Sequence, residues 1–281
     1  LTYGIPSFKL DKKIVERRVK LLEEAGLKLV LNCEVGKDIT FEDIANSHDA
    51  IFIGVGATKA KRASLAGEQA PNVYDAMDYL TAMQRKNFKL PYDKKFDFKD
   101  LNVVVIGGGD TAMDCVRTAK REEAKKVNCL YRRDANNMPG SIKENDNDME
   151  EGVDFTFYAS PKEIVLGENG RAVSASMIKT GLGAKDESGR QRMEDVNGSW
   201  FKVKADVVIM ALGFDPEVPA FLAENGIETN EWGGVVVNDD YETTTSGVYA
   251  GGDCFRGADL VVTAALDGRE AARKMIKSLL K

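Results

Sequence analysis

The chain is poor in the residues that most enzymes use for acid–base or redox chemistry. It has one histidine, His48, in a polar Asn-Ser-His-Asp stretch that reads as a solvated loop rather than a general base. The four cysteines, Cys33, Cys115, Cys129 and Cys254, are scattered and form no C-x-x-C pair. That excludes a dithiol centre and a zinc or iron–sulfur cluster built from close cysteine pairs. They read instead as buried small apolar residues of a reducing, cytoplasmic compartment. Positive charge is not in excess either: 39 Lys and Arg against 45 Asp and Glu leave a net charge of −6. Such a chain offers no broad basic surface to neutralise nucleic-acid phosphates. Apolar runs such as DVVIMALG (206–213) stop far short of the roughly 18 residues a membrane span needs. No secretory leader is visible, and the chain opens on Leu1 in mid-pattern, so its start reads as cut.

What remains is the composition of a globular protein, 43% hydrophobic and 30% charged, with a length that allows about two domains. Residues Ile14–Ala25 carry apolar side chains at helical spacing, Gly26 stops them, and Leu27–Leu31 follows as an expected strand. Ala50–Val55, ended by Gly56, has the continuous apolar character of a buried parallel strand. Val73–Gln84 returns to helical spacing. Beyond residue 150 the pattern predicts strands at Asp154–Tyr158, Ala172–Lys179, Phe201–Lys204, Asp206–Ala211, Val235–Val237 and Gly247–Ala250. A polar Gly181–Gly198 hairpin tip and a closing helix within Ala258–Leu280 complete it.

The most informative unit is VVVIGGGDTAMD (103–114). Gly107, Gly109 and Ala112 fit G-x-G-x-x-[GA], with Gly108, Asp110 and Thr111 between them. The first glycine permits the turn out of a strand, the second lets backbone approach a pyrophosphate, and the alanine keeps helix and sheet close. The helix start then aims free N–H groups at the phosphates. A strand at Asn102–Ile106, a helix at Thr111–Glu123 and a strand at Val127–Tyr131 supply the βαβ context that gives the motif its meaning. No G-K-[ST] follows, which excludes a P-loop. At the end of the second strand, where NAD-selective sites carry a carboxylate for the ribose 2′-hydroxyl, the chain reads Leu130-Tyr131-Arg132-Arg133. Two guanidiniums there suit the 2′-phosphate of NADP(H) through charge-assisted, bidentate bonds. Asp134 falls one position late and reads as solvated. Asp110 either caps the helix or takes part in cofactor binding. Asp114, one turn on, reads as ordinary helix surface, Trp200 and Trp232 as packing or surface residues, and Lys143–Glu151 as a solvated helix face.

On the phrases YGIPSFKL (3–10), GGGDTAMDCVRTA (107–119), YRRDANNMPGS (131–141), ALGFDP (211–216) and TSGVYAGGDCFRGADLVVTAALDGREAA (245–272), the chain resembles the small (beta) subunit family of NADPH-dependent glutamate synthase. The NADPH-facing part of dihydropyrimidine dehydrogenase and electron-bifurcating ferredoxin:NADP oxidoreductases are similar. The resemblance implies an α/β fold of two nested dinucleotide-binding, Rossmann-like domains of the glutathione-reductase type. On that pattern residues 1–75 form the first piece of an FAD domain, 76–213 the NADPH domain, and 214–281 the C-terminal FAD piece.

The same resemblance assigns site residues. FIGVG and IMALG, ending at Gly56 and at Ala211-Leu212-Gly213, correspond to paired hinge-side strands. Gly252 and Asp253 lie in a second flavin motif, and Leu260, Val261, Val262 and Thr263 open a helix toward the flavin. Lys9 stands where the family leads us to expect an arginine. The family's first flavin G-x-G-x-x-G and its cysteine-rich, iron–sulfur segment are not in this sequence. The FAD domain is therefore expected to be discontinuous and incomplete: a full NADPH site, half an FAD site, and iron–sulfur clusters in a missing N-terminal segment or a partner. The function implied is electron input, with hydride passing from NADPH to FAD and electrons onward to the glutamate synthase large subunit. Alternatives are a ferredoxin-linked or pyrimidine-reducing electron-transfer subunit, and a non-catalytic NADP(H)-binding fragment. No catalytic side chain and no metal site are expected, because hydride transfer between cofactors needs positioning rather than acid–base groups.

Overall fold

The computed structural model describes residues 1–138, 150–185, 191–217 and 219–280. In chain order the first elements are α1 (Lys12–Glu24), α2 (Phe41–Ser47), β1 (Ile51–Ile53), β2 (Lys59–Ala60), β3 (Val73–Asp75), α3 (Ala76–Asn87), β4 (Asn102–Ile106), α4 (Asp110–Arg121) and β5 (Lys126–Leu130). Then come β6 (Asp154–Thr156), β7 (Ala159–Leu166), β8 (Ala172–Lys185), β9 (Gln191–Lys204), β10 (Val207–Met210) and β11 (Phe214–Asp215). The last are α5 (Ala220–Glu224), β12 (Val248–Ala250), α6 (Asp253–Arg256) and α7 (Val261–Leu279). The chain divides into two compact units, residues 1–25 with 62–213 and residues 26–61 with 214–281.

The first unit is organised by a parallel sheet in the order β3-β10-β4-β5-β6. Its central strands are runs of Val and Ile because both faces are covered, and alternate side chains enter different layers. Val103 and Val105 of β4 join Val207 and Ile209 of β10 beneath α3 and α4, against Tyr79, Met83, Met113 and Val116. Val104, Ile106, Val208 and Met210 face the other way, onto Ile164, Ala175 and Met177. Those last three belong to an antiparallel β7-β8-β9 sheet. Each fully buried side chain of this size contributes roughly 1.5–3 kcal/mol, so the two layers fix the strand ends firmly. Basic residues close both covering helices, Arg85 and Lys86 on α3 and Lys120 and Arg121 on α4, the sign that a helix C-terminus favours.

Two expectations change here. Val73–Gln84 is not one helix: Val73–Asp75 pairs parallel with Val208–Met210, and the helix starts at Ala76. A free edge of β10 captures Val-Tyr, residue types at home in a sheet. Nor is Gly181–Gly198 merely a tip, because Thr180, Gly181 and Leu182 pair with Asp195, Glu194 and Met193 within a long β8–β9 ladder. Cross-strand hydrogen bonding overrides the punctuation of single glycines. The expected Lys143–Glu151 helix face lies almost wholly outside the described residues, as does the PGS end of YRRDANNMPGS.

The second unit is smaller. Its strands β1 and β12 pair in parallel and β2 and β11 antiparallel. Its core comprises Phe41, Ile53, Leu222, Ile227, Val235, Val248, Ala250 and Cys254. A capping box between Thr40 and Asp43 starts α2. The expected strand at Leu27–Leu31 is absent, and Leu27, Leu29, Val30 and Leu31 are exposed. Alternating or apolar sequence forms a strand only with a hydrogen-bonding neighbour, and none pairs with this stretch among the described residues. Val235–Val237 likewise contributes a single bridge, from Val235 to Thr229. Cys115, Cys129 and Cys254 are buried as expected, but Cys33 is exposed. Residues 1–25 and 62–75, which the resemblance grouped with the first flavin piece, pack in the first unit. Among the described residues no helix is long and apolar enough to cross a membrane.

Candidate nucleotide site

In the first unit the turn after β4 is shaped residue by residue. Gly107 has a φ of 148°, a conformation that residues with a side chain rarely adopt, and a Cβ there would run into the carbonyl of Ala211. Its N–H donates to the Leu130 carbonyl at 3.1 Å, while the Ala211 N–H donates to Ile106 at 2.9 Å. Ala211 is thus the backbone wall behind the turn. At Gly108 a Cβ would strike the Tyr131 ring, a side chain that would have to shift. Gly109 differs: it is the extended N-cap of α4, and nothing lies within 4 Å of where its Cβ would be. Among the described residues no contact demands a glycine there, so the backbone at this position lies open.

The start of α4 carries no side-chain cap, and among the described residues the N–H groups of Asp110 and Thr111 make no hydrogen bond. Asp110 occupies the first helical position, so of its two expected roles capping is not realised. Ala112 is fully buried in the helix layer, as the third small position requires. Open amides at a helix start, ahead of a bare glycine backbone, fit a pyrophosphate.

At the end of β5 stand Arg132, exposed, and Arg133, half-buried. Neither guanidinium has a hydrogen bond or ion pair among the described residues, although their backbone is tied down: Thr180 Oγ1 donates to Arg132 O at 2.6 Å and Tyr158 N to Arg133 O at 3.1 Å. Asp134 is not simply solvated. Its Oδ1 accepts from the Asn137 N–H and Nδ2, both at 2.8 Å, and its Oδ2 accepts from the Tyr158 hydroxyl at 3.1 Å. These bonds hold its carboxyl below the ordinary carboxylate range, the Asn137 side chain most of all. Leu212 and Gly213, with φ 90°, continue from the wall strand and are half-buried. Asp114 departs from the surface reading: it is buried and paired with Lys9 Nζ at 2.9 Å, so Lys9 works within this unit. His48 is exposed at the end of α2, and Trp200 and Trp232 are exposed.

The second unit holds the other expected residues. Gly56 and Gly252 have φ of 76° and 74°. The Gly252 N–H donates to Asp267 Oδ2 at 3.0 Å, and the same fully buried carboxylate accepts from Arg256 Nε at 2.7 Å and the Tyr241 hydroxyl at 3.2 Å. Hydrogen bonding to Arg256, above all, holds the Asp267 carboxyl below its ordinary range. Asp253, next in the chain, is half-buried, and desolvation pushes its carboxyl up. Leu260 precedes α7, whose start has no side-chain cap; Leu260, Val261 and Val262 are exposed and Thr263 half-buried. A carboxylate acceptor on a glycine turn and an uncapped helix start suit the polyol chain and electron-rich edge of a flavin. Sequence reasoning missed Asp267, Tyr131, Asn137, Tyr158 and Thr180. Only Asp134, a residue type that caps short helices by accepting the N–H three residues on, was available as a signal.

Residues 12–268 match the family described as pyridine nucleotide-disulphide oxidoreductase. The chain is 46% identical to AegA of Escherichia coli (strain K12), named as an oxidoreductase, over 98% of its own length and 43% of AegA's. It is 43% identical to the glutamate synthase [NADPH] small chain of the same organism, over 97% of its length and 59% of that protein's. The chain therefore spans about two fifths to three fifths of these relatives. Among solved structures, FprA of Mycobacterium tuberculosis in complex with NADPH superposes with a TM-score of 0.78 at 17% identity, over 99% of this chain and 74% of that one. At that identity the likeness concerns the fold.

Proposed function

We propose that this chain, which belongs to the pyridine nucleotide-disulphide oxidoreductase family among the relatives of glutamate synthase small chains, is the nucleotide-handling portion of an NADPH-dependent flavoprotein electron-input enzyme. One observation carries the reading. A bare glycine turn with open helix-start amides lies one strand away from two arginines whose guanidiniums have no hydrogen bond or ion pair among the described residues. Gly107–Gly109 and the N–H groups of Asp110 and Thr111 would hold the pyrophosphate, and Arg132 and Arg133 the 2′-phosphate. In the second unit Gly252, Asp253 and the start of α7 would hold FAD. That group, when bound, supplies the acceptor for a hydride from NADPH. The chain's own part is to orient and to balance charge, and no residue is assigned a proton.

In the intact enzyme electrons would continue through iron–sulfur clusters to a glutamate synthase large subunit. The similarity to AegA, which is not named a glutamate synthase, favours a second reading in which another acceptor takes that place. Titration of the purified chain with NADPH and NADH tests the nucleotide assignment, and equal affinities would overturn it. The sequence holds a single G-x-G-x-x-[GA] turn, so the 281-residue chain should bind NADP(H) and retain little FAD. A stoichiometric flavin spectrum after purification would contradict that. Dye reduction by NADPH with added FAD, compared between this chain and an extended one, then separates an active module from a binding fragment.

A further inference from the structure

The segment that carries the two arginines is held by a residue in a strained conformation. Tyr158 follows β6 with a φ of 55°, a region costly for a residue with a Cβ. There its N–H donates to the Arg133 carbonyl at 3.1 Å, and its own carbonyl accepts the Thr180 N–H at 2.8 Å. Its hydroxyl reaches Asp134 Oδ2 at 3.1 Å. The neighbouring carbonyls are tied as well. Tyr131 O accepts from the Ala159 N–H at 3.0 Å, and Arg132 O from the Thr180 hydroxyl at 2.6 Å. The Tyr131 hydroxyl donates to Asn137 O at 2.7 Å, while the ring covers Gly108. Three consecutive carbonyls are thus anchored, and the carboxylate that follows the arginines is drawn onto Asn137 and Tyr158 rather than left facing them.

We infer that Asp134 and Tyr158 are positioning residues that hold the Arg132–Arg133 segment ready for a 2′-phosphate and turn the Asp134 carboxylate away from it. This rests on the NADP(H) reading above. A guanidinium pair on an anchored backbone loses less freedom on binding than one on a loose loop. The anchor therefore affects ligands with a 2′-phosphate and leaves those without one nearly untouched.

Calorimetric titration of the 281-residue chain with NADP+ and with NAD+ tests it. The wild-type ratio tests the NADP(H) reading by itself: equal affinities would overturn that reading whatever the variants do. With selectivity present, Asp134→Ala should weaken NADP+ about 10-fold and NAD+ less than about 2-fold, the scale of losing an anchoring network. Asp134→Asn keeps an acceptor for Asn137 while removing the charge, and should restore wild-type NADP+ affinity or exceed it. Tyr158→Phe, which loses only the hydroxyl, should cost about 3-fold on NADP+ alone. If Asp134→Ala binds NADP+ as well as wild type or better, the carboxylate is no anchor and the inference fails. Equal losses on both nucleotides, or no rescue by Asp134→Asn, would overturn it too. Circular dichroism confirms that each variant is folded; should Asp134→Ala not fold, the Tyr158→Phe ratio decides.

Discussion

The two units solve the same problem, holding a glycine turn at the end of a parallel strand, by different means. In the first, Gly107 is backed by the Ala211 carbonyl and flanked by a sheet buried between two apolar layers. In the second, Gly252 follows a strand of a two-stranded sheet, and its N–H is held by the buried carboxylate of Asp267, itself clamped by Arg256 and Tyr241. A close-packed sheet fixes backbone through many small contacts, so the cost of a truncation follows the volume it removes. A polar clamp concentrates the same task in a few bonds and is correspondingly sensitive to removal of a partner. The first unit therefore shapes its glycine turn by packing. The second spends charge on its own backbone.

That contrast can be tested from its strongest consequence downward. Replacing Arg132 and Arg133 together by Ala should weaken NADPH by about 4 kcal/mol, on the order of 10³-fold, with little change in stability, since each charge-assisted bond is worth roughly 1.5–3 kcal/mol. Fluorescence titration and a melting curve read both, and an equal loss for NADH would remove the distinction. Met113→Ala, at a fully buried position of the helix layer, should cost about 3 kcal/mol in denaturant unfolding. A cost below that of an exposed-site change would mean that packing does not govern this unit. Asp267→Asn should cost about 2 kcal/mol and raise amide exchange at residues 251–257.

The same clamp has a pH signature. Because the folded Asp267 carboxyl is depressed by Arg256, its stabilisation is fully present above the ordinary aspartate range, about pH 4, and is lost as pH falls through the lower folded value. Acid unfolding below about pH 4 should flatten in Asp267→Asn, and an unchanged acid limb would sink the clamp. The smallest effect belongs to Lys9→Met, about 1 kcal/mol, because Lys9 is itself partly exposed and Lys12 remains to offset the charge of the buried Asp114.

The legibility of the molecule follows the same division. Asn102–Ile106, the glycine turn, the helix after it and the β5 strand could be read within a residue or two. Their signals are local: β-branched runs, a glycine pattern and a helical period. The strand at Val73–Asp75 was hidden in an apparent helix because its partner, β10, lies more than a hundred residues on. Leu27–Leu31 was misread in the opposite direction, since apolar residues promise a strand but only a neighbour's backbone makes one. Asp114 looked like surface because a period of 3.6 says which way a side chain points, not that Lys9 will cover it. In the candidate site the arginines were visible as residue types, and the anchors that hold them were not.

By itself the sequence determined the chemistry available: a nucleotide turn, two cations in the place of a carboxylate, and a second glycine-aspartate turn. Each depends on residue identity at fixed, short spacing, which the covalent chain enforces. Only the tertiary structure decided which of these groups are free and which are already engaged. Among the described residues the Arg132 and Arg133 guanidiniums have no partner while Asp134 and Asp267 are occupied, because hydrogen bonds over distance depend on strands and turns brought together by burial of apolar surface, and no local pattern encodes that meeting.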